Sequence, residues 1–151
     1  MSAHPQVDPR GLRFAATITA VVLAVVLVLP SPARETVLAV QVAVFAAAVA
    51  FGLSASPYSF VFRTVVRPRI GAPTETEDAR PPRFAQLVGL LFTAGALTAF
   101  VTGADTVGFV LTAFALVAAL LNATVGLCLG CEMYLAFRRL TAARPTLDQH
   151  A

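Results

Sequence analysis

Both cysteines of the chain, Cys128 and Cys131, lie in one short stretch with the spacing C-x-x-C. Thiols three residues apart on a helix can close a disulfide, because their α-carbons fall within the permitted window of roughly 4.4–6.8 Å. Thiolates at such a pair can also exchange disulfides or carry persulfide sulfur. The pattern leaves three interpretations open: redox or sulfur-transfer chemistry, packing of two small apolar side chains, and metal binding.

A zinc site would require two further ligands. The two histidines, His4 and His150, lie in polar tails, so a metal at Cys128 and Cys131 would need a site shared between two copies of the chain. We therefore predict no metal for a single chain. The sequence contains no cofactor-binding motif, and no cofactor is predicted.

The reactivity of the thiols depends on whether the last apolar helix is continuous. On an unbroken helix from 107 to 140 both cysteines would lie in the C-terminal half, where the dipole disfavours a thiolate. Gly126 and Gly130 offer a break. A helix that restarts at Cys128 would place its N-terminal amides at that sulfur, which lowers a cysteine pKa.

Polar neighbours of the pair are also candidates. Glu132 falls between the two thiols on a helix, and Arg83 could assist a thiolate. On a continuous helix Asn122 points about 120–180° away from the thiols. It is then expected to be an interhelical contact, for example with Gln86.

Four apolar stretches must position these residues, and they cover 12–29, 37–55, 84–102 and 107–127. Each is about as long as a helix that crosses roughly 30 Å of hydrocarbon. The chain is 58% hydrophobic and 13% charged, against about 25% charged in soluble domains. We predict an all-α integral membrane four-helix bundle that forms a single transmembrane domain over 1–151.

Arginine placement predicts the orientation of the bundle. The chain has eleven arginines and no lysine, and only Arg34 lies on the opposite side from the other ten. Cationic residues concentrate on cytoplasmic loops. Both termini and the thiol pair are therefore predicted at the cytoplasmic face of the inner membrane. Orientation and anionic lipid headgroups account for the basic loop, so nucleic-acid binding is not predicted.

The loop 56–83 between the second and third spans has two parts. Its first part predicts a short helix lying in the membrane interface, with one apolar face formed by Tyr58, Val61, Phe62, Val65 and Val66. The rest, Pro68 to Pro82, predicts an irregular surface segment before the third span.

A weak internal repeat relates the two halves. Arg13-Phe14-Ala15 opens the first span and Arg83-Phe84-Ala85 opens the third. Both halves run in the same direction, which predicts two parallel-repeated helical hairpins. In this alignment Ser54 and Ser56 correspond roughly to Cys128 and Cys131.

The chain resembles the small bacterial membrane family catalogued as domain of unknown function 4395. The resemblance covers Val7 to Leu140 and rests on Val7-Asp8-Pro9-Arg10, Pro57-Tyr58 with Phe62-Arg63, Arg67-Pro68-Arg69-Ile70-Gly71, 77–86, and Asn122 with 126–132. The family has no assigned activity. Some relatives are encoded beside or fused to thioredoxin-like or rhodanese-like proteins, which implies thiol or sulfur handling.

The resemblance implies a polar site on the cytoplasmic face. Its expected catalytic residues are Cys128, Cys131, Glu132 and Arg83, and its expected binding residues are Arg80, Gln86 and Asn122.

Together the sequence favours a thiol–disulfide or persulfide relay that works with a soluble thioredoxin-like or rhodanese-like partner. The alternatives are a non-enzymatic structural or assembly subunit and a small carrier or channel for a sulfur-containing anion. A homo-oligomer in the lipid bilayer is expected, because the spans expose many small residues.

Overall fold

The computed structural model describes residues 4–142. Its elements in chain order are β1 (Gln6–Val7), α1 (Pro9–Val28), α2 (Ala33–Phe51), a 3₁₀ turn (Leu53–Ala55), α3 (Pro57–Val61), a π-helical turn (Phe62–Val66), α4 (Arg67–Ile70), β2 (Glu77–Asp78), α5 (Arg80–Val101), α6 (Asp105–Val125) and α7 (Leu129–Ala142).

The four long helices, α1, α2, α5 and α6, are each long and apolar enough to cross a membrane. Only 17–33% of each apolar stretch is buried inside the protein. The remaining apolar side chains face outward, which a protein surrounded by water would not tolerate over four helices. The fold is that of an all-α multi-pass membrane protein.

Local signals explain where these helices begin and end. The Asp8 carboxylate caps α1 by accepting the Arg10 backbone N–H at 2.9 Å, and Pro9 occupies the first helical position. The second apolar stretch was predicted to reach residue 55, but α2 ends at Phe51. The reason is Gly52, whose φ of 98° ends the helical path.

The long helices form a ring in which α1 packs against α2 and α6, and α5 packs against the same two helices. Where α1 and α5 begin, the chain carries Arg10, Arg13, Arg80 and Arg83, and we call this the arginine-rich end. The opposite half of the bundle is closed by a hydrophobic cluster of Leu23, Val26, Leu38, Ala96 and Phe100.

Arg34 closes the end of the bundle opposite the arginine-rich end. Its guanidinium pairs with Glu35 at 3.1 Å and Asp105 at 3.2 Å, and it lies 4.0 Å above the centre of the Phe100 ring. The buried cation is therefore compensated by two carboxylates and an aromatic face.

The segment between α2 and α5 is helical from Pro57 to Ile70, as predicted for its first part. Phe62 is buried, and its ring centre lies 5.7 Å from that of Phe14 on α1, whereas Phe60 is 58% exposed. The expectation of an irregular segment from Pro68 onward needs correction. Residues up to Ile70 continue the helix, and β2 pairs with β1 in antiparallel register.

Two arginines join the halves of the chain, because each one caps the end of a helix that belongs to the other half. Arg13 of α1 donates to the carbonyl oxygens of Ala123 and Thr124 of α6, at 3.3 and 2.9 Å. Arg83 of α5 donates in the same way to the last turn of α2, reaching the Val49 oxygen at 3.0 and 2.6 Å. Both guanidinium groups thus satisfy carbonyls that a helix end leaves without partners.

Other contacts repeat between the halves. The rings of Phe14 and Phe62 lie 5.7 Å apart at 46°, and those of Phe84 and Tyr134 lie 5.7 Å apart at 47°. Asp78 accepts the Arg80 backbone N–H at 2.9 Å, the distance at which Asp8 accepts that of Arg10. Each hairpin thus contains the same ring contact and the same helix cap as the other.

Candidate thiol site beside a cavity in the bundle

Helix α6, which precedes the two cysteines in the chain, ends at Val125, and Gly126 is its C-cap residue. This residue has a left-handed φ of 74°, a conformation that costs a residue with a side chain about 1–2 kcal/mol. The Gly126 N–H donates to the Asn122 oxygen at 3.1 Å, and the Leu127 N–H donates to the Leu121 oxygen at 3.3 Å. The break that the reactive interpretation requires is therefore present.

A new helix, α7, begins directly after the break, and Cys128 occupies its N-cap position. The Cys128 carbonyl accepts the Glu132 N–H at 3.0 Å, which is the first helical bond of α7. The Cys128 Sγ accepts the backbone N–H of Cys131 at 3.4 Å. This contact is the one that a serine or aspartate side chain makes at an N-cap, here made by a sulfur.

These donors make the two thiols unlike each other. The Cys131 thiol donates a hydrogen bond to the Cys128 sulfur, and with the backbone amides of Cys131 and Gly130 it lowers the pKa of Cys128 to about 7, despite partial burial. The same hydrogen bond raises the pKa of Cys131, and burial together with Glu77 and Glu132 raises it further. Cys128 is thus the more acidic thiol of the pair and Cys131 the less acidic one.

The start of α7 is held tightly against α5. Gly130 is buried, and a Cβ added there would lie 2.6 Å from the Cα and Cβ of Ala85. Only a glycine allows this approach, so Gly130 fixes the distance between α7 and the start of α5. It thereby fixes the position of the cysteines on either side of it.

Both cysteines line a cavity of about 390 Å³ in the arginine-rich half of the bundle. The volume lies within the usual range for small-molecule sites. At its other end the cavity reaches three phenylalanines in the middle of the long helices, Phe45, Phe92 and Phe114. Most of the remaining lining is apolar.

The polar lining includes a second pair of residues with the spacing of the cysteines. Ser56 and Ser59 lie at the start of α3, and both border the cavity. The Ser56 carbonyl accepts the Phe60 N–H at 3.1 Å, as the Cys128 carbonyl accepts that of Glu132. The correspondence of Ser54 and Ser56 with the cysteines therefore shifts: Ser56 matches Cys128, and Ser59 matches Cys131.

Asn122 and Gln86 both line the same cavity as the cysteines. Asn122 was expected to point away from the thiols on a continuous helix, but the break at Gly126 turns α7 back and brings them to one cavity. A hydrogen bond between Asn122 and Gln86 was also expected. Within residues 4–142 neither amide side chain has a hydrogen-bond partner.

The charged residues of the predicted site lie elsewhere. Arg83 is engaged at the end of α2, and Arg80 pairs with Asp78 at 3.6 Å. Glu132 is exposed on α7. Its backbone N–H donates to the Cys128 carbonyl, and the charge of its carboxylate helps to raise the pKa of Cys131. In the part of the chain that the structure describes, these three side chains do not border the cavity.

No group of three or more metal-ligating residues occurs among residues 4–142. His4 lies in the described part of the chain, whereas His150 lies outside it.

Sequence reasoning missed several residues of the cavity, above all Ser59 and Glu77, and it aligned Ser56 with Cys131 instead of Cys128. A signal was available, because Asp-x-Arg-x-x-Arg-Phe-Ala occurs both at 8–15 and at 78–85. Extending this longer match at its offset of 70 residues (78 − 8) places Tyr58 opposite Cys128, which points to the start of α3 to within two residues of Ser56.

The match to known families agrees with the resemblance drawn from the sequence. The family model described as Domain of unknown function (DUF4395) matches residues 7–139. Neither curated proteins nor solved structures gave a significant match.

Proposed function

We propose that this chain, which belongs to the DUF4395 family, is a thiol–disulfide or persulfide relay in which Cys128 attacks and Cys131 resolves. The observation that carries the proposal is the N-cap position of Cys128. Its sulfur accepts the Cys131 N–H at 3.4 Å, and its pKa is lowered to about 7. A purely packed cysteine has no need of this arrangement.

The chemistry follows from the unequal thiols. The Cys128 thiolate attacks a disulfide sulfur of the partner, forming a mixed disulfide and releasing the partner's other sulfur as a thiolate. Cys131 loses its proton to that leaving group or to water and attacks the Cys128 sulfur. The chain is then left as a Cys128–Cys131 disulfide, and the partner is released fully reduced. With a persulfide donor, Cys128 instead takes the terminal sulfur and releases a thiolate.

We also propose that the arginine-rich end faces the cytoplasm in the inner membrane, because cationic residues concentrate there. The thiol pair, half-buried at that end, is then within reach of a soluble partner. A thioredoxin-like or rhodanese-like protein has the matching chemistry. The helix from Pro57 to Ile70 would lie in the interface, where exposed Phe60 and Val65 meet lipid.

The matching contacts of the two hairpins support a bundle of two parallel repeats related by an axis along the membrane normal. In this view one repeat carries the reactive pair and the other carries Ser56 and Ser59 in its place. The exposed apolar and small residues of the spans also favour association of two or more copies in the bilayer.

The test uses purified protein in lipid nanodiscs with glutathione disulfide as the model substrate. Cys131→Ser should accumulate a stable mixed disulfide with glutathione, detected by mass spectrometry, because no resolving thiol remains. Cys128→Ser should form it far more slowly, and the unaltered chain should proceed to an internal disulfide. Equal, slow reaction of both variants would favour the structural or assembly role instead.

The cavity also favours a second function, carriage of a small sulfur-containing anion. Two helical segments, α3 and α7, begin beside the cavity, an arrangement found at transporter binding sites. The support is weaker, because Arg13 of the lining is engaged by carbonyls and Glu77 offsets its charge. Uptake of thiosulfate into liposomes that contain the chain, absent from empty liposomes, would favour carriage.

A further inference from the structure

We propose that the cavity beside Cys128 binds the head group of a lipid-soluble quinone, which accepts the two electrons of the Cys128–Cys131 pair. This inference rests on the proposed thiol function, run in the direction in which a partner dithiol reduces the Cys128–Cys131 disulfide, and it names the oxidant that forms that disulfide again. It assigns a ligand to the cavity, and through this ligand the electrons of the thiol pair pass into the membrane.

The depth of the cavity favours a ligand that dissolves in the bilayer. Phe114 lies eleven residues before Val125, the last residue of α6, which is about 16 Å along the helix. The cavity therefore extends from the thiols to about the middle of a hydrocarbon layer of roughly 30 Å. Beyond the phenylalanines, the cluster around Leu23 and Phe100 fills the bundle.

The side chains around the cavity suit an aromatic ring with polar edges. Phe45, Phe92 and Phe114 supply ring faces at the inner end. Gln86 and Asn122 supply amide donors, and within the described residues neither has a hydrogen-bond partner in the protein. A quinone presents two carbonyl acceptors on an otherwise apolar ring, which matches two amide donors within an apolar lining.

The charges of the lining favour an uncharged ligand over an anion. Arg13 and Glu77 carry opposite charges, and the Arg13 guanidinium already donates to Ala123 and Thr124. The helix N-terminus that would attract an anion is already engaged, because the Cys128 sulfur accepts the Cys131 N–H. In this site the Cys128 thiolate is itself the bound anion.

The reaction balances within the site. The Cys128 thiolate adds to the quinone ring, and the quinone oxygen takes the proton of Cys131. The Cys131 thiolate then attacks the Cys128 sulfur, the carbon–sulfur bond breaks, and its electron pair leaves with the ring. One proton from water completes the hydroquinone. The pair has lost two electrons and become a disulfide, and a soluble dithiol partner reduces it again by exchange.

The experiment compares two oxidants acting on the reduced full-length protein in nanodiscs without oxygen. Decylubiquinone tests the cavity, and diamide, a water-soluble oxidant, tests the thiol pair alone. Ala118 lines the cavity on α6, so Ala118→Phe fills it, and Ala118→Leu fills it less. Ala113 is exposed on the same helix, so Ala113→Phe is the matched control. Disulfide formation is followed by loss of free thiols, and quinol formation by ultraviolet absorbance.

We expect decylubiquinone to oxidise the unaltered chain and Ala113→Phe at the same rate. Ala118→Phe should be slower by about tenfold, equivalent to ~1.4 kcal/mol of overpacking against the ligand. Ala118→Leu should be intermediate, and diamide should oxidise all four proteins equally, because it reaches the thiol pair without occupying the cavity.

Two results would overturn the quinone site and leave the thiol function standing, provided that diamide still forms the disulfide normally. One is oxidation by decylubiquinone at equal rates in all four proteins, and the other is no oxidation by decylubiquinone at all. Failure of diamide to close the pair in the unaltered chain would overturn both. Protection of Cys128 by thiosulfate but not by decylubiquinone would assign the cavity to an anion and also overturn the inference.

Discussion

The hydrogen bond from the Cys131 side chain to the Cys128 sulfur predicts a measurable difference between two conservative variants. Cys131→Ser keeps a side-chain donor at this position, and Cys131→Ala removes it. Both leave Cys128 as the single thiol of the chain and keep the backbone N–H of residue 131. A change in Cys128 reactivity between them therefore reports the side-chain hydrogen bond alone.

The magnitude follows from the pKa of about 7 for Cys128, lowered from an ordinary value of 9.0. At pH 7 about half of Cys128 is thiolate, which is ~50-fold more than for an ordinary thiol. The intrinsic nucleophilicity falls with the pKa, by about six- to tenfold over two units. Cys131→Ser should thus react roughly five- to eightfold faster at pH 7 than an ordinary thiol, and more slowly above pH 9. In Cys131→Ala the midpoint should rise by about one unit, the effect of one hydrogen bond to a charged group.

The assay is stopped-flow reaction with 4,4′-dithiodipyridine, an uncharged disulfide, over pH 5 to 10 in nanodiscs. The rate should increase with pH, because only the thiolate attacks, and it should level off above the pKa. Midpoints near 9 in both variants would refute the N-cap argument as a whole. Equal midpoints near 7 would refute the role of the Cys131 side chain and leave the backbone amides as the cause.

Three further predictions follow from other contacts. Gly126→Ala should lower the free energy of unfolding by about 1–2 kcal/mol because of the positive φ at this residue, and it should raise the pH midpoint of Cys128 reactivity. The control is Gly71→Ala, at a residue with a similar φ of 77° and open space around it. It should lower stability by as much without moving that midpoint. Arg83→Met should lower the free energy of unfolding by about 1–3 kcal/mol, because it removes the hydrogen-bond donors from the end of α2. A change in the pH midpoint of Cys128 reactivity in this variant would contradict the structural role of Arg83. A reporter enzyme fused at the C-terminus should be active only in the cytoplasm and one inserted at Gly103 only outside, since the opposite result would reverse the proposed orientation.

The four helices and the break between α6 and α7 were predictable because they depend on local properties of the chain. Apolar run length, Asp8 with Pro9 at the start of α1, and Gly126 at the end of α6 each act over a few residues. The break in turn implied that Cys128 lies at a helix start, and the structure agrees. The position of Cys128 at a helix start therefore followed from local features of the sequence.

The surroundings of the cysteines were decided by contacts between residues far apart in the chain. Arg83 has a charge suited to a thiolate, yet α2 ends nearby with unpaired carbonyls, and the guanidinium binds those instead. The cysteines share a cavity with Asn122 because the chain breaks at Gly126 and α7 packs through Gly130 on Ala85. Periodicity along one helix gives the direction of a side chain relative to that helix. Periodicity does not indicate which other helix, some 70 residues away in the chain, forms the opposite wall of the cavity.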